Sequence, residues 1–151
     1  MYLDENLIKL HLEVQTKNEL FSLLSKEMLE KNLVKKNFLE FLKKREADYP
    51  TGMQIMEYGV AIPHTEIECV NRSQIYFVTL KTPILFRNMV DLDEKIEVKF
   101  VFLLAMNQPK EHLNVLMNVM KLCQDKSAME KLIKCDDKMI AKEILSKNGI
   151  Q

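Results

Sequence analysis

Residues 96–106 read IEVKFVFLLAM, and after Val98 the apolar run is almost continuous. A strand with one face in water alternates polar and apolar residues, whereas a strand apolar on both sides must be covered on both. The run is too short to cross a bilayer. A chain that carries it needs a sheet with other elements packed above and below.

The flanking segments supply them. At the start, Ile8, Leu10 and Leu12 alternate with Lys9 and His11, which predicts a half-buried strand with the three aliphatic residues on one face. Thr16 and Glu19 form a capping box for a helix with Leu20, Leu23, Leu24 and Met28 at helical spacing. KNFLEFLKKREADY (36–49) predicts a second helix, with Phe38, Leu42 and Arg45 within reach of one another, ended by PTG at 50–52. The period then changes. MQIMEYGVAIPH (53–64) predicts one or two strands with a bend at Gly59, and QIYFVTLKTPILF (74–86) another, in which Pro83 keeps the part after Leu80 from a central position. Asn107 and Pro109 open a helix with Leu113, Leu116, Met117 and Met120 on one stripe, and two shorter helices follow around Asp136 and Asp137. The expected architecture is α/β in layers, a mixed parallel and antiparallel sheet flanked by helices, forming one domain over residues 1–151. Most of the ten methionines are expected to fill gaps in the core.

Charge and cysteine usage narrow the function classes. Lys plus Arg equals Asp plus Glu at 22 each, so no net field favours nucleic acid or an anionic membrane. Cys69, Cys123 and Cys135 form no CxxC pair and suggest neither a disulfide framework nor a zinc site, which fits a reducing compartment. MYLDENLIKL lacks the basic and apolar regions of a signal peptide, so a cytoplasmic location without membrane insertion is expected.

Three histidines remain as centres of chemistry. His11 lies on the polar face of its strand and reads as an incidental surface residue. His64 follows GVAIP (59–63). Pro63 has no N–H for a ladder and biases Ile62 towards extended backbone, so pairing ends there and a stiff strand end presents the imidazole. Ligand sites of α/β sheets collect just past strand ends. That position fits a reactive group, and it fits equally a histidine that only caps a strand. His112 falls near the fourth residue of its helix, where free N–H groups and the helix dipole disfavour imidazolium and favour an anion. It reads either as a neutral imidazole beside an anion site or as a locally bonded helix-start residue. No HExxH, GxSxG, GxxxxGK[ST] or GxGxxG pattern is present, and no metal or cofactor is expected. The remaining chemistry is histidine as a nucleophile, which accepts a phosphoryl group from another protein and passes it on.

YGVAIPHTE (58–66) resembles the phosphorylation segment of the fructose/mannitol-type enzyme IIA (EIIA) domains of the bacterial phosphoenolpyruvate-dependent sugar phosphotransferase system (PTS). The similarity extends to ENLIKLHLEVQTKNEL, KKREADYPTG and EHLNVLMNVMKL, and YPTG with PHTE looks most like the galactitol branch. The resemblance implies that His64 is the phosphohistidine, that His112 is its neighbouring imidazole, and that Arg45 stabilises the phosphoryl group. An ordinary solvated helix end would also account for KKRE. Thr65 departs from the very small residue common in the family; its hydroxyl either binds phosphoryl oxygens or narrows the site.

The same resemblance implies two protein partners, the phosphocarrier protein HPr as donor and a cysteine of enzyme IIB as acceptor. A shallow apolar patch around His64 would serve both, with Ile62, Ile67, Met53 and Met89 as rim residues. The alternative within the family is a regulatory module whose phosphorylation state controls a protein partner.

Overall fold

The computed structural model describes residues 2–151. In chain order the elements are β1 (Leu3–Leu12), α1 (Lys17–Glu30), α2 (Phe38–Asp48), β2 (Gly52–Ile55), β3 (Tyr58–Ala61), β4 (Gln74–Arg87), β5 (Lys95–Ala105), α3 (Pro109–Cys123), α4 (Lys126–Lys134) and α5 (Lys138–Lys147). The five strands form one sheet in the order β1-β4-β5-β3-β2. β1 with β4 and β3 with β5 run parallel; β4 with β5 and β2 with β3 run antiparallel. The sheet is mixed, as its sequence pattern implies.

The apolar run 98–106 explains itself in this frame. β5 is the central strand, and its side chains alternate between two cores. Val101, Leu103 and Ala105 join Leu20, Phe21, Leu24 and Met28 of α1 and Phe38 and Leu42 of α2. Phe100, Phe102, Leu104 and Met106 join Val115, Val119 and Leu122 of α3, Met129 and Leu132 of α4 and Leu145 of α5. Each face buries its own helical layer, so neither side of the strand needs polar residues. α1 starts as its capping box requires. Thr16 Oγ1 accepts the Glu19 N–H at 3.1 Å, while the Glu19 carboxylate accepts the N–H of Gln15 at 3.2 Å. β1 pairs with β4 only as far as Leu80; Pro83 falls in the irregularity between Thr79 and Ile84, after which β4 again pairs with β5.

Four sequence expectations need correction. Leu12 does not share a face with Ile8 and Leu10: those two pack with the α3–α5 layer, and Leu12 packs against the α1–α2 layer. His11 at φ 54° lies between them, at an irregularity in the β1–β4 register, and a left-handed residue turns the next side chain over. The bend expected at Gly59 lies instead at Met56 and Glu57, where Met56 takes φ 53° and joins β2 to β3 as a hairpin. On α3 the buried residues are Val115, Val119, Leu122 and Cys123, while Leu113 and Met117 are 56% and 62% exposed. Nor is core filling the general role of the methionines, which divide almost evenly. Met28, Met106 and Met129 are buried and Met53 and Met120 pack partly buried against the α3–α5 core, but Met56, Met89, Met117 and Met139 are at least half exposed.

Candidate active site

The β3 ladder ends at Ala61, opposite Gly52. Ile62 then gives its N–H to the Thr51 hydroxyl oxygen at 3.1 Å, and the Pro63 carbonyl accepts the Leu104 N–H of β5 at 3.0 Å. Those two bonds and the proline ring hold the backbone on either side of the turn into His64. The imidazole folds back so that Nδ1 stands 2.9 Å from the Ile62 carbonyl oxygen. A carbonyl can only accept, so Nδ1 carries the proton and Nε2 keeps its lone pair.

His112 sits in the first turn of α3, its N–H bonded to the Gln108 carbonyl at 3.1 Å. Its ring lies 4.6 Å from that of His64, centroid to centroid, with the planes at 51°. Burial pushes the pKa of both imidazoles down. At His112 the neighbouring His64 and Arg45 add to the effect and bring it to about 4. At His64 the Arg45 charge also lowers the value, opposed by the bond to Ile62 and the Glu66 charge. Both rings are neutral near pH 7.

Arg45 comes from the last turn of α2. Its guanidinium carbon is 5.0 Å from the centre of the Tyr49 ring, and Nη1 is 3.5 Å from Glu66 Oε1. The buried Nε has no hydrogen-bond partner. The fold thus brings His64, His112 and Arg45 together from three elements, with a guanidinium donor to spare. Thr65 is buried next to His64, and its hydroxyl gives its proton to the Glu66 carbonyl at 3.0 Å.

A cavity of about 290 Å³ opens beside the His64 ring, lined by Thr51, Met53, Ile62, Met89, Leu116 and Met120. Three of the four expected rim residues border it, and Ile67, in the short turn Ile67–Cys69, does not. A larger cavity of about 450 Å³ lies between Tyr2, the start of α3 and the C-terminal residues, and neither His64 nor Arg45 reaches it. Among the described residues no three His, Cys, Asp or Glu side chains are grouped to hold a metal ion.

Sequence reasoning missed Glu46. This carboxylate is 2% exposed, and both its oxygens accept from Thr51, at 2.7 Å from the N–H and 2.9 Å from the hydroxyl. Burial pushes its pKa up to about 7, against the pull of the two Thr51 bonds and Lys17. The spacing carries only part of the signal: Phe38, Leu42 and Glu46 follow one another at four-residue intervals on the buried stripe of α2, which marks the position as inward but names no partner for a carboxylate there.

The site thus gathers two neutral imidazoles and a guanidinium whose Nε has no partner, with the Nε2 lone pair of His64 uncommitted. The family whose description is phosphoenolpyruvate-dependent sugar phosphotransferase system, EIIA 2, matches residues 1–148. The chain belongs to this family. As an EIIA component of the sugar PTS it is, in general terms, a phosphotransferase. The galactitol-specific EIIA component of Escherichia coli (strain K12) is 29% identical over 117 residues, which cover 78% of this EIIA chain and 77% of that protein. The nitrogen regulatory protein IIA-Ntr of Neisseria meningitidis superimposes with a TM-score of 0.75 at 26% identity, over 95% of each chain. Enzyme IIAMtl, determined in complex with phosphorylated enzyme IIBMtl from Escherichia coli, does so at 0.76 and 20% identity, over 96% of this chain and 99% of that one.

Proposed function

We propose that this EIIA protein acts in the cytoplasm as a single domain over residues 1–151, taking a phosphoryl group from phospho-HPr onto His64 and passing it to a cysteine of enzyme IIB. The Nε2 lone pair forms the bond to phosphorus as the donor's phosphorus–nitrogen bond breaks and its electron pair stays on the donor imidazole. His64 keeps its Nδ1 proton on the Ile62 carbonyl, so the phosphorylated ring carries positive charge beside the dianionic group. In the second half-reaction a thiolate of enzyme IIB attacks the same phosphorus, and the pair returns to Nε2.

The supporting observation is the fixed Nδ1–H tautomer of a neutral His64 whose ring lies 4.6 Å from that of His112. His112 offers one neutral N–H to a phosphoryl oxygen, and Arg45 a fork whose Nε is unengaged. The reaction calls for no metal or cofactor, because the incoming group is already activated. Thr65 has its proton committed within the loop, which favours shaping the site over donating to the phosphoryl group. Likeness to the galactitol-specific relative supports a galactitol-type polyol as the transported substrate.

Incubation with phosphoenolpyruvate, enzyme I and HPr, followed by intact mass, tests the reading. One acid-labile phosphoryl group is expected, and its persistence in His64→Ala would overturn the assignment. The regulatory alternative draws on the likeness to the nitrogen regulatory protein. Label that leaves His64 for enzyme IIB and then galactitol supports transport. Label that stays on His64 while a regulatory target responds supports regulation.

A further inference from the structure

Between Ala61 and His64 the backbone has few ways to be held. The ladder of β3 has ended, and Pro63 has no N–H to offer. On the near side of the turn the Ile62 N–H is the remaining donor, and it goes to a side chain, Thr51 Oγ1, at 3.1 Å. The carbonyl of the same residue accepts from His64 Nδ1. Whatever fixes Ile62 therefore fixes which imidazole nitrogen carries the proton.

Thr51 can hold the Ile62 N–H in one place only if its own hydroxyl proton has a fixed acceptor. Glu46 Oε1 supplies one at 2.9 Å, while Oε2 takes the Thr51 N–H at 2.7 Å. Both groups on Thr51 are donors, so two acceptor oxygens are needed, and a carboxylate has them where an amide has one. The position continues the apolar stripe of Phe38 and Leu42, where a leucine or methionine would serve packing better than a buried carboxyl with a raised pKa. Arg45, the adjacent residue, faces Glu66 and Tyr49, so Glu46 is not its counter-ion.

We propose that Glu46 is a positioning residue for His64: through the Thr51 hydroxyl it fixes Ile62, whose carbonyl keeps the imidazole in the Nδ1–H form with Nε2 free. The inference rests on His64 being the phosphoryl acceptor, and it assigns a task to a carboxylate that touches no reacting atom. The opposite tautomer would place a proton on the nitrogen that has to attack phosphorus, and such a ring cannot react until it loses that proton.

Two measurements on isotope-labelled protein test it: nitrogen NMR of the His64 ring, and single-turnover transfer from phospho-HPr. The wild type should show a protonated Nδ1 and an unprotonated Nε2. In Thr51→Val and in Glu46→Gln both ring nitrogens should move towards the average of the two tautomers, and transfer should slow on the order of 10-fold, as for other outer partners of a functional imidazole. Thr51→Ser, which keeps the hydroxyl, should restore both readouts. The double variant should be no slower than Thr51→Val alone, because links in series do not add. A wild-type ring protonated on Nε2 would overturn the proposal. So would an unchanged tautomer and rate in Thr51→Val, or losses that add in the double variant. Wild-type protein that holds the Nδ1–H form yet takes no phosphoryl group onto His64 would overturn the functional reading instead, leaving the tautomer comparison to judge Glu46 by itself.

Discussion

At the scale of single residues the site is a set of titratable groups held away from their ordinary protonation. Glu46 is neutral over a wider pH range in the fold than in the unfolded chain, since its pKa rises from 4.5 to about 7. Between those values the native state binds more protons than the unfolded state, so the contribution of this group to stability falls as pH rises. The window spans about 3 kcal/mol at most. His112 acts oppositely: its pKa drops from 6.5 to about 4, so stability present above 6.5 is lost as pH falls through that range. Urea unfolding across pH 4.5 to about 7 should therefore show Glu46→Gln abolishing a downward component of the wild-type profile. Superimposable slopes would show that this carboxyl titrates normally. The setting of His64, a proline at a strand end, was legible in sequence, and its task was not, because the same pattern fits a histidine that only caps a strand. Glu46 was not, because a charged residue on a helix reads as solvent-facing until its Thr51 partner is seen.

At the scale of elements, β3 carries His64 at its end, so the approach of β3 to β5 sets where the imidazole sits. Gly59 permits that approach. A Cβ there would lie 2.0 Å from the Glu97 carbonyl oxygen and 2.7 Å from its carbon, both backbone atoms of the neighbouring strand that cannot step aside. Gly59→Ala should cost roughly 3 kcal/mol or more in urea unfolding, through lost β3–β5 pairing. It should also loosen the His64 backbone, visible as faster amide exchange at His64 and Leu104. A variant as stable as wild type would mean that β3 does not pack as closely as described. The sequence reading took this glycine for a bend, although a strand-interior glycine also marks close backbone approach, and only the paired strand tells the two apart. The stripe of α3 failed for a related reason. Residues 113, 116, 117 and 120 and residues 115, 119 and 122 are both apolar at helical spacing, and which set meets the sheet depends on a helix rotation that the sequence does not encode locally.

At the scale of the whole molecule, the doubly covered sheet was readable from one strand, because an apolar run with no wet face leaves a single packing solution. The order β1-β4-β5-β3-β2 was not readable, since long-range pairing depends on registers with no local signature. The set of apolar residues left over after the core has formed was equally hidden. Leu116 and Met120 border the cavity beside His64, and Leu113 and Met117 of the same helix are exposed next to them in sequence and in helical turn. Met89, in the same cavity lining, is followed by Val90 and Leu92, also exposed. If His64 carries the phosphoryl group as proposed, a helix whose second apolar stripe faces water beside it is suited to a partner that must bring its own phosphoryl nitrogen or thiolate to that atom. Met117→Lys should then leave stability within about 0.5 kcal/mol, because the residue buries little in the folded monomer. The second-order rate of phosphoryl transfer from phospho-HPr should fall about 5-fold, as the loss of roughly 1 kcal/mol of contact energy requires. Met139→Lys is the control, since Met139 is 57% exposed on α5 and lines no part of the cavity. An equal loss in both variants would mean that added positive charge, and not the apolar face of α3, sets the rate; no loss in Met117→Lys would move the docking surface away from α3 altogether.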